Sequence, residues 1–380
     1  MHLQEYGSSK DACMIWLAFP AFVFLTVRLV IAGINLLSRQ WLGIAVPEST
    51  SPVSVLIPAR NEAENLPGLL DGLLGQSYQS LDIWIYDDDS SDGTLEVIER
   101  YAARHSRIRY MRGKSIPEGW NGKTNACHQL ALKAEGEYLL FMDADVQVEP
   151  DLVSRAIRHA RKYDLTLLSI FPRQLMGSFG EKITVPVMNW ILVSLLPLAL
   201  TRLSHYPSLS AANGQFMLFR GREYRQHRFH LLVRDINVED IHIFRIVKRM
   251  GYAAHTVLSR GEISCRMYRS MKEGILGFTR SVFAFFGGSG VALAIFTLLT
   301  TFGILFVWLG MGPLYAWIYL GMTMLLRALV AMLSLQPVAV TTLLSPLIQL
   351  SFVWIVIRSF LLRAGGKNVW KGRTIQFKGI

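Results

Sequence analysis

The sequence predicts an α/β domain on a mostly parallel sheet, set between apolar segments long enough to cross a membrane. Three observations lead there. From Ser54 to Phe171 short apolar runs alternate with helically spaced ones, the pattern of βαβ units. Three of the runs end in polar or acidic residues, as strands do where their carboxyl ends face a ligand. Hydrophobic residues make up 51% of the 380 and collect at the N-terminus and after about Val282. Charged residues are only 18%, below the quarter typical of soluble domains.

The first apolar segment covers residues 13–37 and is interrupted by Pro20 and Arg28. It is too long for the apolar core of a signal peptide, so residues 1–40 read as an uncleaved anchor. Arg28 then either snorkels to a headgroup layer or packs inside a helix bundle. Arg39, Arg60 and many later basic residues follow the anchor, which places the middle of the chain in the cytoplasm by the positive-inside rule.

Val53–Pro58 is a continuous apolar strand, Asn65–Leu74 a helix, Leu81–Tyr86 a second strand and Thr94–Ala103 a second helix. Arg107–Met111 gives a third strand, Lys123–Lys133 a helix and Tyr138–Met142 the next strand; the pattern resumes at Leu165–Phe171. Residues 183–203 are apolar but carry Pro186, Asn189 and Pro197, which fits an interfacial helix lying on the bilayer better than a span. Val238 begins a helix running to Met250, and Arg260 to Lys272 is basic. From Val282 to Leu362 the chain is almost wholly apolar, with breaks near Gly310–Pro313 and Gln336–Pro337, so about three spans are expected. The parts are therefore an anchor (1–40), a soluble domain (50–280), the spans (281–363) and a basic tail (364–380). Three spans after a cytoplasmic domain would put that tail outside, against the positive-inside rule; a re-entrant segment would restore it.

The net charge is +11, concentrated in runs such as Arg220 to Arg234 and Arg245 to Arg249. Such a balance suits nucleic acid, an anionic membrane face or a phosphate-bearing substrate. No nucleic-acid-binding module is recognisable, so nucleic acid is set aside. Cys13, Cys127 and Cys265 are far apart and odd in number, which suggests neither a disulfide framework nor a zinc site.

The chemistry-bearing residues sit where strands end. Asp143 and Asp145 follow Tyr138–Met142. Residues two apart on a strand share a side, and two convergent carboxylates there can hold Mg²⁺ or Mn²⁺, leaving positions for phosphate oxygens and water. Asp87, Asp88, Asp89 and Asp92 crowd six residues; they either cap the following helix or accept hydrogen bonds from a base or ribose. Glu118-Gly-Trp-Asn-Gly-Lys123 sets Lys123 at a helix start, where it could meet a diphosphate, although the spacing is not that of a P-loop. Arg266 and Arg269, at i and i+3, would share a helix face. They either anchor to a membrane surface or clamp phosphate oxygens.

In order, Ile57-Pro58-Ala59-Arg60-Asn61-Glu62, Asp87 to Thr94, Asp143-Ala144-Asp145 and Glu239-Asp240 resemble the family 2 glycosyltransferases of GT-A fold, over about residues 52–270. A narrower likeness is to bacterial membrane-bound members that glycosylate isoprenoid lipids, the diaponeurosporenoate (C30 carotenoid acid) and hopanoid-associated group. It rests on Gly119-Trp120-Asn121-Gly122-Lys123, Arg266-Met267-Tyr268 and Trp370-Lys371-Gly372-Arg373. The resemblance implies a UDP-sugar donor bound by Pro58, Arg60, Glu62, Asp88, Lys123, Asp143, Arg266 and Arg269, with Asp88 on the uracil. It implies Mg²⁺ or Mn²⁺ on Asp145 and Asp143, and Asp240, beside Glu239, as general base toward a lipid acceptor. The product would be an inverted hexoside, and Ser270, standing where processive synthases carry Trp after Arg-x-x-Arg, argues against a polymer. A polysaccharide synthase, a polyprenyl-phosphate sugar transferase and a non-catalytic membrane protein are the alternatives. The expected location is the cell membrane, multi-pass, with the catalytic domain cytoplasmic.

Overall fold

The computed structural model describes residues 5–44, 50–365, 368–370 and 373–375. Its centre is a seven-stranded sheet in the order β3-β2-β1-β4-β8-β6-β9. The strands are β1 (Val53–Ala59), β2 (Leu81–Asp87), β3 (Ile108–Arg112), β4 (Tyr138–Met142), β6 (Leu167–Phe171), β8 (Phe216–Arg220) and β9 (Ala254–Leu258). The limits of β1 to β4 and β6 lie within two residues of the sequence expectation, whereas β8 and β9 were not expected as strands; the pairings β1–β2, β2–β3, β1–β4 and β6–β9 are parallel. The exception is β8, which runs antiparallel between β4 and β6. A smaller sheet joins β5 (Val146–Val148), β10 (Ile263–Cys265) and β7 (Arg173–Gln174).

The central strands, such as β4 and β6, are almost wholly apolar because both sheet faces are covered there, whereas edge strand β3 leaves Arg109 and Tyr110 exposed. Val53, Val55 and Ile57 pack with Leu66, Leu69 and Leu73 of helix Leu66–Leu74 and with Leu152 and Ile157 of Leu152–Lys162. Leu56, Leu139 and Phe141 point the other way, toward Leu130 of Gly122–Ala131 and Phe244 and Val247 of Glu239–Arg249. The chain goes from β1 to β2 and β3 on one side and to β4 on the other. That reversal leaves a crevice at the carboxyl ends of β1 and β4, the usual ligand position in such sheets.

Among the described residues, four helices are long and apolar enough to cross a membrane: Ala18–Ser38, Gly290–Met311, Pro313–Leu333 and Ser345–Gly365. The first belongs to a 34-residue helix, Glu5–Ser38, with Pro20 inside it. Their outward residues, such as Val291, Trp308, Trp317, Leu350 and Leu361, are exposed, an apolar surface of the kind a bilayer covers.

Two expectations differ from the structure. Residues 183–203 are not one helix lying open on a surface. They form Pro186–Leu195 and Ala199–Leu203, after Phe179–Thr184. Val187, Trp190, Ile191 and Val193 are buried with the membrane-capable helices, because Pro186 and Pro197 break the segment into pieces short enough to tuck between them. Arg266 and Arg269 do not share a helix face: they lie in the connection between β10 and helix Met271–Phe285, which starts only at Ser270, whose side chain caps it. Within the basic tail, residues 366–367, 371–372 (Lys371 and Gly372 of the Trp370–Arg373 motif) and 376–380 lie outside the described residues.

Candidate active site

A cleft of about 530 Å³ opens at the crevice. Pro58, Arg60, Glu62, Asp88, Lys123, Asp143, Asp145, Glu239, Asp240, Arg266 and Arg269 all line it. The fold therefore brings all eleven candidate side chains to one place, from segments more than 200 residues apart in sequence.

The loops after β1 and β2 are stitched together. The Arg60 guanidinium donates to the backbone oxygens of Asp88 and Asp89. Asn61 N–H donates to Ser90 Oγ at 3.0 Å, and Asn61 Oδ1 accepts from Ser91 N–H at 2.8 Å. Asn61 and Asp89 both adopt the left-handed backbone, φ 53° and 56°, which Asn and Asp tolerate better than most residues. Asp88 ends up 4% exposed on the cleft wall.

Lys123 stands at the centre. Asn121 caps its helix by accepting from Lys123 N–H, which aims the side chain across the cleft. Its Nζ lies 2.7 Å from Asp143 Oδ1 and 3.1 Å from Glu239 Oε1. Burial would pull its pKa down, but the two carboxylates outweigh that and hold it well above the ordinary lysine value. The ammonium therefore stays charged.

Asp240 follows Glu239 at the start of its helix. Its Oδ2 accepts from Gly214 N–H at 2.9 Å and its Oδ1 from Ile241 N–H at 2.8 Å. Burial and the neighbouring Glu239 push its pKa up to about 7, against the pull of Lys123 and the two amides. A carboxylate poised there can exchange a proton near neutral pH.

Asp145 is pushed up to about 6 by burial, then by Asp143 and Glu62. Its Oδ1 is buried without a hydrogen-bond partner. An orphaned carboxylate oxygen beside a second carboxylate is a poor arrangement for protein alone and fits a divalent cation. Among the described residues no three His, Cys, Asp or Glu side chains converge as a ready metal site. A cation held by Asp145 and Asp143 would thus take most of its ligands from phosphate and water, as Mg²⁺ commonly does.

Arg266 and Arg269 also line the cleft, their side chains 46% and 52% exposed. Arg266 makes a bidentate pair with the buried Glu181, at 3.1 and 2.9 Å. Burial would raise the Glu181 pKa, but Arg266, Ser178 and Gly177 bring it to about 2. Arg269 pairs with Glu64 and Asn65.

Sequence reasoning assigned no site role to Asn213-Gly214-Gln215, Glu181 or Cys265. The first group reaches the cleft because antiparallel β8 begins opposite the end of β4, Phe216 pairing with Met142. A Cβ on Gly214 would sit 2.9 Å from Lys123 Nζ. Gln215 Nε2 donates to Cys265 Sγ at 2.7 Å, and the Cys265 thiol in turn supports Asp145. Glu181 closes a capping box with Ser178, and nothing in that local pattern points to Arg266.

Residues 54–228 match the model of glycosyl transferase family 2. The 4,4'-diaponeurosporenoate glycosyltransferase of Staphylococcus haemolyticus is 28% identical over 236 residues, 61% of this chain and 61% of that protein. The beta-monoglucosyldiacylglycerol synthase of Trichormus variabilis is 30% identical over 128 residues, 33% of this chain and 25% of that protein. The chain thus spans less than two thirds of the length of either relative. Among solved structures, the mannosyltransferase PcManGT from Pyrobaculum calidifontis, in complex with GDP-Man and Mn²⁺, is similar in fold. The TM-score is 0.59 at 18% identity, covering 92% of this chain and 98% of that one. Over residues 54–228 this chain therefore carries a glycosyl transferase family 2 domain, built on the GT-A fold.

Proposed function

We propose that the protein is a membrane-bound inverting glycosyltransferase that moves a hexose, glucose in the first instance, from a UDP-sugar to a lipid acceptor such as a carotenoid acid. The observation that carries this reading is the cleft itself. Asp240, Lys123 and the Asp143–Asp145 pair face one volume, in a chain that also carries membrane-capable helices. The likeness to a carotenoid-acid glycosyltransferase and to a glycolipid synthase supports a lipid acceptor. The basic residues that follow the first helix support a cytoplasmic catalytic domain in the cell membrane.

In this reading Asp88 accepts from the uracil, and Pro58, Arg60 and Glu62 shape the wall around the nucleoside. Lys123, Arg266 and Arg269 bind the diphosphate. Asp145 and Asp143 would hold Mg²⁺ or Mn²⁺, which would supply positive charge against the leaving nucleoside diphosphate. Glu239 keeps Lys123 in position. Asp240 takes the acceptor proton as the acceptor oxygen attacks the anomeric carbon from the face opposite the diphosphate. The C1–diphosphate bond breaks as the new C1–O bond forms, so the configuration inverts. For an acceptor that arrives as a carboxylate, Asp240 orients it rather than deprotonating it.

The test is UDP release by the purified full chain with UDP-glucose, in the presence and absence of a bilayer extract containing carotenoid acids. Release that depends on the extract supports transfer; release equal in both contradicts a lipid acceptor. With a hydroxyl acceptor, the reaction should also depend on pH in a defined direction. Asp240 works only when ionised, so turnover should rise with pH through about 7 and fall about tenfold per unit well below it. A flat profile from pH 5 to 8, about three units, would contradict the assignment.

Glu181→Gln removes the charge that fixes Arg266. Its expected effect is a rise of about 3–10-fold in KM for the donor with kcat nearly unchanged, the signature of lost uniform binding. Steady-state kinetics over a donor series would check it.

A further inference from the structure

Two arginines lie inside the cluster of membrane-capable helices. Arg28 is at the midpoint of Ala18–Ser38 and is 3% exposed; Arg327 lies in Pro313–Leu333 and is 4% exposed. Both guanidinium groups stack on the same indole: their Cζ atoms are 4.5 Å and 3.8 Å from the ring centroid of Trp190. The two positive charges are therefore no further apart than the sum of those distances.

Their hydrogen-bond partners are neutral. Arg28 Nε and Nη2 donate to Ser194 Oγ at 3.1 and 2.7 Å. Arg327 Nη2 donates to Gln349 Oε1 at 3.0 Å. Gln349 is locked in that orientation because its Nε2 donates to Thr300 and Thr301 Oγ1 at 3.2 and 2.9 Å. Arg327 Nη1 is buried with no hydrogen-bond partner. No Asp or Glu occurs in residues 16–44, 182–222 or 290–365, which hold the two arginines, Trp190, Ser194 and Gln349.

Burying one charge without a counter-ion is unfavourable, and two like charges on one ring add mutual repulsion. The aromatic face offsets part of this but supplies no negative charge. A buried ionisable group within membrane helices marks a functional site by default. The planar guanidinium, with an unused donor, matches carboxylate and phosphate oxygens in particular. An anion reaching this depth between apolar helices arrives on an apolar tail.

We infer that Arg28 and Arg327, bracketed on Trp190, bind the anionic head, phosphate or carboxylate, of an amphiphile drawn from the bilayer. The inference requires the helices to lie in a membrane; it does not depend on the sugar-transfer reading, and its test uses no activity.

Native mass spectrometry of the full chain in neutral detergent would measure retention of dioleoyl phosphatidic acid, oleic acid and dioleoyl phosphatidylcholine. The wild type should retain an acidic lipid about tenfold better than phosphatidylcholine. The Arg28→Gln/Arg327→Gln double variant should lose that preference, and Arg327→Lys should keep part of it. Preference for phosphatidic acid identifies a phospholipid phosphate as the source; preference for oleic acid identifies a carboxylate-ended lipid. Equal retention of all three by the wild type, or an unchanged preference in the double variant, overturns the proposal. If the double variant does not fold, the wild type alone decides. In about 0.5 M salt, which screens surface charge, acidic lipid should raise its melting temperature by several degrees and phosphatidylcholine should not. No shift with either acidic lipid overturns the proposal equally.

Discussion

Replacing Asp240 by Asn is expected to lower turnover on a hydroxyl acceptor by about 10²–10⁴-fold, the usual contribution of a positioned general base. Asn has nearly the same shape. It can still accept from Gly214 or Ile241 N–H, which hold the native carboxylate at 2.9 and 2.8 Å, so the cleft keeps its form. What disappears is proton affinity: the native group sits near pKa 7 because burial and Glu239 raise it, whereas an amide does not titrate. Donor affinity should change by less than about threefold, since no role in donor binding falls to this side chain. An acceptor that is already a carboxylate has no proton to give, so there the loss should shrink to about tenfold. Comparing a hydroxyl-ended with a carboxyl-ended lipid in this one variant reads the acceptor class. Full activity on both would remove Asp240 from the chemistry.

Asp145→Asn should be at least as damaging, by about 10³-fold or more. Its Oδ1 is buried and unpartnered, the feature that fits a cation. In the wild type, removing divalent ions with a chelator should bring transfer to a similar floor, and Mn²⁺ or Mg²⁺ should restore it; in the variant neither should restore more than a small part. Because burial, Asp143 and Glu62 lift the Asp145 pKa to about 6, protons compete with the cation. Affinity for Mn²⁺ in the presence of UDP should therefore weaken as pH falls through about 6, measurable by calorimetry. Undiminished, chelator-resistant transfer in Asp145→Asn would rule out the metal role.

Much of the domain was legible in the chain because its signals are local. β1, β4 and β6 are mostly apolar on both faces, and the helices between strands carry helically spaced apolar residues, so β1 to β4 and β6 read within two residues of their limits. The four apolar helices were legible for the same reason. The site was legible where polar residues follow a strand directly, as at Arg60, Asp88 and Asp143-Ala-Asp145. It was not legible where function depends on distant pairing. Gly214 reaches Asp240 only because β8 enters antiparallel, a register set by β4 and β6 rather than by its own sequence. Arg266 is aimed by Glu181, 85 residues earlier. That the segment after Thr184 is divided into short helices and packed by protein was not legible, because apolarity alone does not reveal whether protein or lipid covers it; Trp190 is covered by Phe296 and Phe352.

The central claim is that this cleft adds a sugar to a membrane lipid. Mass spectrometry of total lipid and pigment extracts, from a host making C30 carotenoids and hopanoids, tests it most directly, with wild type and Asp240→Asn expressed side by side. The account predicts a new hexose-bearing lipid with the wild type, expected on a carotenoid acid, and less of it with the variant. No new glycolipid with the wild type, or a soluble polysaccharide in its place, would contradict it.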